Sequence, residues 1–181
     1  MKNAILLHGT GGSPKLYWFP YLIENLKKKG YSVWAPQLPN AKKPNLEDWL
    51  PFVFKNGKFN KNTVFVGHSA GSQLILSILE NINVKINKAI LVSGYAEPLL
   101  KNSRAKNKSK FAWKKIKKHA GSFIFINSDN DPWECTDKQG KIMLDQLGGT
   151  LVIPKGQGHM GSTTYKQPYK KFPLLVRLAC D

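Results

Sequence analysis

The chain is 181 residues long, 41% apolar and 11% aromatic, which suits one domain (1–181) built on one core and is short for two. Its formal charge of +17 comes almost wholly from lysine, with Arg104 and Arg177 the only arginines, and base-specific readout of nucleic acid favours arginine forks; nucleic acid is therefore not the expected partner. No apolar run approaches the ~20 residues of a membrane span, and two cysteines, Cys135 and Cys180, make no disulfide framework, so a reducing cytoplasm is the expected compartment.

Residues 3–8 read as a buried strand that runs directly into His8-Gly9-Thr10-Gly11-Gly12. The lysine and the glycine spacing of a phosphate-binding loop are missing. A glycine-rich turn after a strand can instead offer a backbone N–H to a developing oxyanion. Ser13-Pro14 opens a helical pattern on Leu16, Phe19, Leu22, Ile23 and Leu26, with Pro20 as a kink or restart, and Lys27-Lys28-Lys29-Gly30 closes it. A second strand covers 31–35, and a helix over 46–54 opens at Asn45 and stops at Asn56-Gly57.

The third strand, from Val64, ends in Gly67-His68-Ser69-Ala70-Gly71 and passes at once into a helix striped by Leu74, Ile75, Ile78, Leu79 and Ile82. G-x-S-x-G between a strand and a helix is the setting of a nucleophile elbow, where a serine hydroxyl is exposed on a tight turn. The two glycines admit the close approach of strand and helix backbones. A serine N-cap would give the same local pattern, so the rest of the chain must decide. Strands over 89–92, 123–126 and 151–153 follow, with helices over 109–118, 136–147 and 167–179. The lysine-rich stretch 101–118, which holds Arg104 and no acidic residue, reads as a solvated face that could also meet an anionic surface.

Strands alternating with helices imply a mainly parallel sheet of about six strands covered on both faces, with every strand-to-helix loop opening at one edge. Those loops carry Ser69, then Asp129 to Asp131, then His159. This order of serine, acid and histidine suits a serine acyl-transfer site on an α/β sheet. Histidine would take the proton of Ser69 and return it to the leaving group, while a carboxylate fixes the tautomer of the ring. Of the two acids Asp131 is preferred, because Pro132 biases it to an extended backbone and Asp129 can serve the turn's own N–H groups. His68 and His8 read as loop braces and His119 as a solvated helix end. No metal or other cofactor is expected, since the histidines lack metal-ligand spacing and no cysteine pair supports them.

Together, His8-Gly9-Thr10 with Ser13-Pro14 and Trp18, the Pro36–Pro39 loop, Trp49, Gly67 to Gly71, Asp131-Pro132 and Gly158-His159 resemble the small single-domain serine hydrolases that include the retinoblastoma-binding serine hydrolase and its bacterial relatives. The resemblance spans nearly the whole chain. It implies a shortened α/β-hydrolase fold without a cap domain, a Ser69–His159–Asp131 triad, and oxyanion donors at the backbone N–H of Thr10 and Ala70. It also implies a hydrolase of carboxylic esters or amides acting on a small ester or peptide-like substrate, with a protein partner compatible with the family's name. Tyr95, Trp133 and Met160 are the expected walls of an open site. An acyltransferase, or a protein-binding member of the fold with weak turnover, fits the same residues.

Overall fold

A computed structural model describes residues 1–99 and 110–181; residues 100–109, which include the first half of the lysine-rich stretch, lie outside the described residues. Six strands form one sheet: β1 (Asn3–Leu7), β2 (Ser32–Trp34), β3 (Thr63–His68), β4 (Ile86–Val92), β5 (Ala120–Ile126) and β6 (Thr150–Val152). Their order is β2-β1-β3-β4-β5-β6 and every pairing is parallel. The helices are α1 (Phe19–Lys28), α2 (Leu46–Asn56), α3 (Ala70–Leu79), α4 (Trp113–Lys118), α5 (Asp137–Leu147) and α6 (Pro173–Cys180). Among the described residues no helix is long and apolar enough to cross a membrane.

The strands alternate strictly, as a sheet buried on both faces requires. Ile5, Leu7, Phe65, Leu91, Phe123 and Phe125 face one layer, where Trp49 and Val53 of α2, the apolar side of α3, Ile116 of α4 and Met143 of α5 meet them. Ala4, Leu6, Val64, Val66, Ile90, Val92, Ile124 and Ile126 face the other, against Leu22 and Leu26 of α1 and Leu175 and Ala179 of α6. Each fully buried Leu, Ile or Phe contributes ~1.5–3 kcal/mol from area burial, which makes this two-layer packing the main source of stability. Helix α3 is buried at all ten positions, wedged between the sheet and its neighbours α2 and α4. It is thereby the most completely buried helix among the described residues.

The helix boundaries show where local signals were overridden. The Ser13 hydroxyl accepts from Lys15 N–H, but residues 14–17 form only turns; α1 begins at Phe19 with Pro20 in its first turn. Pro20 therefore starts the helix rather than kinking it. Asn45 caps α2 by accepting from Glu47 N–H, and Gly57 ends it, as expected. Helix α6 starts only at Pro173, because Gln167 is taken into an antiparallel bridge with Ser162. His119 is the C-cap of α4 and its Nδ1 donates to Leu79 O at 2.7 Å, so it ties α4 to the end of α3 rather than standing in solvent.

Candidate active site

Parallel registration carries each strand into the loop that follows it. Ser69 N–H donates to Val92 O, Ser93 N–H to Ile126 O and Asn127 N–H to Val152 O, so the first residues beyond β3, β4 and β5 lie in line along one edge of the sheet. Ser69 sits there at φ 55 and ψ −122, a conformation that L-residues rarely adopt, 8% exposed and immediately ahead of α3. The glycines explain how it is held. A Cβ on Gly67 would lie 2.8 Å from the backbone of Gly71, and one on Gly71 would run into the carbonyls of Leu7 and His8. Nothing larger than hydrogen fits between α3 and the ends of β1 and β3.

The chain after β1 is pressed against the elbow in the same way. A Cβ on Gly9 would come within 2.8 Å of the Ser69 Cβ, so the loop of Thr10 passes directly over the serine. His8 braces this loop. Its Nδ1 donates to Gly9 O at 2.9 Å and its Nε2 accepts from Leu38 N–H at 3.0 Å. The two partners require a neutral ring protonated on Nδ1, and burial lowers the pKa of His8 in agreement.

Asp131 and His159 meet from two different loops. Asp131 Oδ2 lies 2.7 Å from His159 Nδ1 in a pair whose side chains are almost wholly buried. Asp131 Oδ1 accepts from Trp133 N–H at 2.8 Å, so each carboxylate oxygen has a single assigned partner. Asp129 has a different use: its Oδ1 accepts from Gly156 N–H at 2.7 Å and pins the loop that leaves β6. The His159 main chain is held on both sides, its N–H by Gln167 Oε1 at 2.9 Å and its carbonyl by Ser93 Oγ at 3.0 Å and His68 Nε2 at 2.9 Å. His68 is thus neutral with its proton on Nε2. Burial, then electrostatic interaction with the neighbouring His159, lower its pKa to about 3.

A cleft of about 250 Å³ opens over this edge, lined among others by Thr10, Ser69, Trp133 and His159. Trp133 is a wall of it, steadied by Tyr165 at 5.2 Å between ring centroids. Tyr95 and Met160 are not. Tyr95 packs with Leu99 and Cys135 beneath the surface, and Met160, at φ 49, turns its side chain into the core while its carbonyl accepts from Trp18 Nε1. Ala70 lies at the first position of α3 and lines a minor crevice beside Tyr95. The Thr10 hydroxyl is buried and has no hydrogen-bond partner among the described residues.

One donor set could in principle hold a metal ion. Asp131, Cys135 and His159 offer ligand atoms within 4.8 Å of one another, all buried. Asp131 and His159 already share a proton, however, and burial pushes the Cys135 thiol well up, so the thiolate that a metal needs is disfavoured. The same burial leaves the Cys135 thiol closed to solvent and to a substrate in the cleft.

Ser93 and Gln167, which fix the His159 loop, carry no signal of that role in the sequence. Both lie far from His159 along the chain or inside an expected helix, and neither sits in a motif.

Comparison with known proteins agrees with this architecture. YdeN of Bacillus subtilis (strain 168), a hydrolase by name, is 35% identical over 101 residues, 54% of this chain and 53% of YdeN, so that match spans about half of each. The rat serine hydrolase RBBP9 is 26% identical over 171 residues, 91% of this chain and 90% of RBBP9. The solved structure of the B. subtilis YdeN product superposes with a TM-score of 0.88 at 26% identity, covering 98% of this chain and 96% of that one. Est1E of Butyrivibrio proteoclasticus, solved with ferulic acid bound, shares the fold at a TM-score of 0.70 and 15% identity, over 99% of this chain and 87% of that one. The sheet is that of an α/β-hydrolase, with no cap domain over its edge among the described residues. Matched by the family's model from residue 4 to residue 177, the chain belongs to the serine hydrolases.

Proposed function

We propose that this protein hydrolyses short carboxylic esters through an acyl-enzyme on Ser69. The observation that carries the reading is the buried Asp131–His159 pair, 2.7 Å apart and opening on the cleft that Ser69 also lines. His159 Nδ1–H donates to Asp131, which leaves Nε2 bare as the base. Ser69 Oγ attacks the carbonyl carbon as its proton passes to His159 Nε2. The carbonyl π electrons move onto oxygen, where the N–H groups of Ala70 and Thr10 receive them. Collapse breaks the ester bond and the alcohol leaves with the proton from His159. Water then attacks the acyl-serine by the same route, releasing the acid and restoring Ser69.

The small cleft, lined near the serine by Gly9, Thr10, Gly11 and Gly12, suits short acyl groups over long lipid chains. A fluorophosphonate probe tests the reading. The wild type should label, and label should vanish in Ser69→Ala and in His159→Ala. A folded wild type that neither labels nor hydrolyses p-nitrophenyl acetate or butyrate would overturn it. A rate rising steadily from acetate to palmitate would overturn the short-chain preference.

A further inference from the structure

The cleft has one charged wall. Among the described residues that line it, Lys42 is the only lysine or arginine, and there is no aspartate or glutamate. Lys42 is exposed and forms no ion pair among the described residues.

Its backbone is held in place. Gly11 N–H donates to Ala41 O at 2.6 Å, Gln37 Nε2 donates to Gly12 O at 3.2 Å, and Leu38 N–H bonds His8. The loop carrying Lys42 is thereby clamped to the loop that crosses Ser69. Lys42 also lines a broader depression alongside, shared with Lys43. The acid there, Asp48, is bonded by Asn40 Nδ2. A free cation at the mouth of a small site, on a chain of formal charge +17, favours one kind of ligand.

We propose that Lys42 makes the cleft selective for esters that carry a carboxylate on the acyl or the alcohol part. The inference rests on the hydrolase reading of the same cleft. At the moment of attack such a substrate places its fixed negative charge against the Lys42 ammonium while Ser69 engages the carbonyl. A lysine on a clamped loop is positioned for this without closing the site.

The test compares matched pairs at low salt. p-Nitrophenyl hemiglutarate is set against p-nitrophenyl valerate for the acyl side, and 4-acetoxybenzoate against its methyl ester for the alcohol side. In wild type, kcat/KM for the anion should exceed that for the neutral partner by roughly threefold to fivefold in at least one pair. That ratio should fall towards one in Lys42→Ala, invert in Lys42→Glu, and shrink at 0.5 M NaCl. Lys29→Glu, which makes the same change of net charge at the far end of α1, should keep the wild-type ratio; losing it there equally would assign the effect to overall charge and overturn the role of Lys42. Neutral esters turned over with no preference in either pair would overturn this inference alone. No turnover of any ester and no fluorophosphonate label would overturn the hydrolase reading, and this inference with it.

Discussion

Replacing Asp131 by asparagine changes one atom, and the hydrogen bonds around it dictate where that atom goes. Asp131 Oδ1 accepts from Trp133 N–H, a donor that only an oxygen can satisfy. The new amide nitrogen must therefore take the place of Oδ2, facing His159 Nδ1 at 2.7 Å. An N–H there needs a bare Nδ1, so the ring proton moves to Nε2. The base proposed for Ser69 is then lost, although neither packing nor shape has changed. The loss expected for a wrong-tautomer histidine is about 10³–10⁴-fold in kcat, equivalent to roughly 4–5.5 kcal/mol of transition-state stabilisation. Thermal midpoints should stay close to wild type, since both bonds of the side chain survive. The assay is p-nitrophenyl butyrate turnover from pH 6 to 10 together with the rate of fluorophosphonate labelling. Asp129→Asn is the internal control: it weakens one bond to Gly156 N–H, a matter of about 1 kcal/mol in stability, and should keep activity within a few-fold. Full activity in Asp131→Asn with loss in Asp129→Asn would refute the assignment of the acid.

Three further outcomes follow from the same geometry. Gly71→Ala forces a methyl group onto the carbonyls of Leu7 and His8, both backbone, so it should cost at least about 3 kcal/mol by urea unfolding; a variant of wild-type stability would show that the α3–β1 approach is looser than described. Gln167→Met leaves the His159 N–H without its acceptor and should cost about 1–3 kcal/mol with a matching fall in kcat, measured by unfolding and steady-state kinetics side by side. His68 is held at a pKa of about 3 against 6.5 for an ordinary imidazole, so between those values the unfolded chain binds a proton that the fold does not. Stability therefore falls as pH falls through that window, by about 1.4 kcal/mol per unit for this one group. Urea unfolding at pH 7.5 and 5.5 should show wild type losing about 1 kcal/mol more than His68→Gln; equal losses would mean that His68 titrates normally.

What could be read from the residues was what is local. Gly67, Ser69 and Gly71 announce the elbow because one tight turn demands all three within five positions, and Asn45 and Gly57 announce the ends of α2 for the same reason. The strands were legible because apolar runs buried on both faces have few other uses. What escaped depends on loops meeting across the sheet edge. Residues near Gln167 carry helix-compatible apolar spacing, yet its side chain is drawn to His159 and its backbone to Ser162, so α6 starts later than periodicity suggests. Met160 follows His159 directly and looked like a wall, but a positive φ turns it inward; sequence adjacency to a site residue says nothing about direction.

The distribution of backbone strain ties the fold to its use. Among the described residues, the non-glycine positions with positive φ are Tyr17, Asn40, Ser69, Ser93, Glu134, Met160, Lys166 and Tyr169, and every one lies in a strand-to-helix connection. In the helix-to-strand connections at the opposite edge positive φ falls to Gly30, Gly148 and Gly149, which adopt it freely. Each strained non-glycine residue costs ~1–3 kcal/mol, a large share of the ~5–15 kcal/mol by which a domain is stable. Such positions persist only where something holds them, and the holding bonds are specific: Ser69 N–H to Val92 O, Ser93 Oγ to His159 O, Tyr17 hydroxyl with Thr163, Trp18 Nε1–H to Met160 O. Glycine would relieve the backbone at Ser69, Ser93 and Tyr17 but would delete the side chain that does the bonding or, at Ser69, the proposed chemistry. One edge of the sheet has thus kept side chains where relaxation would favour glycine, and that is the edge where Ser69, His159 and Asp131 converge.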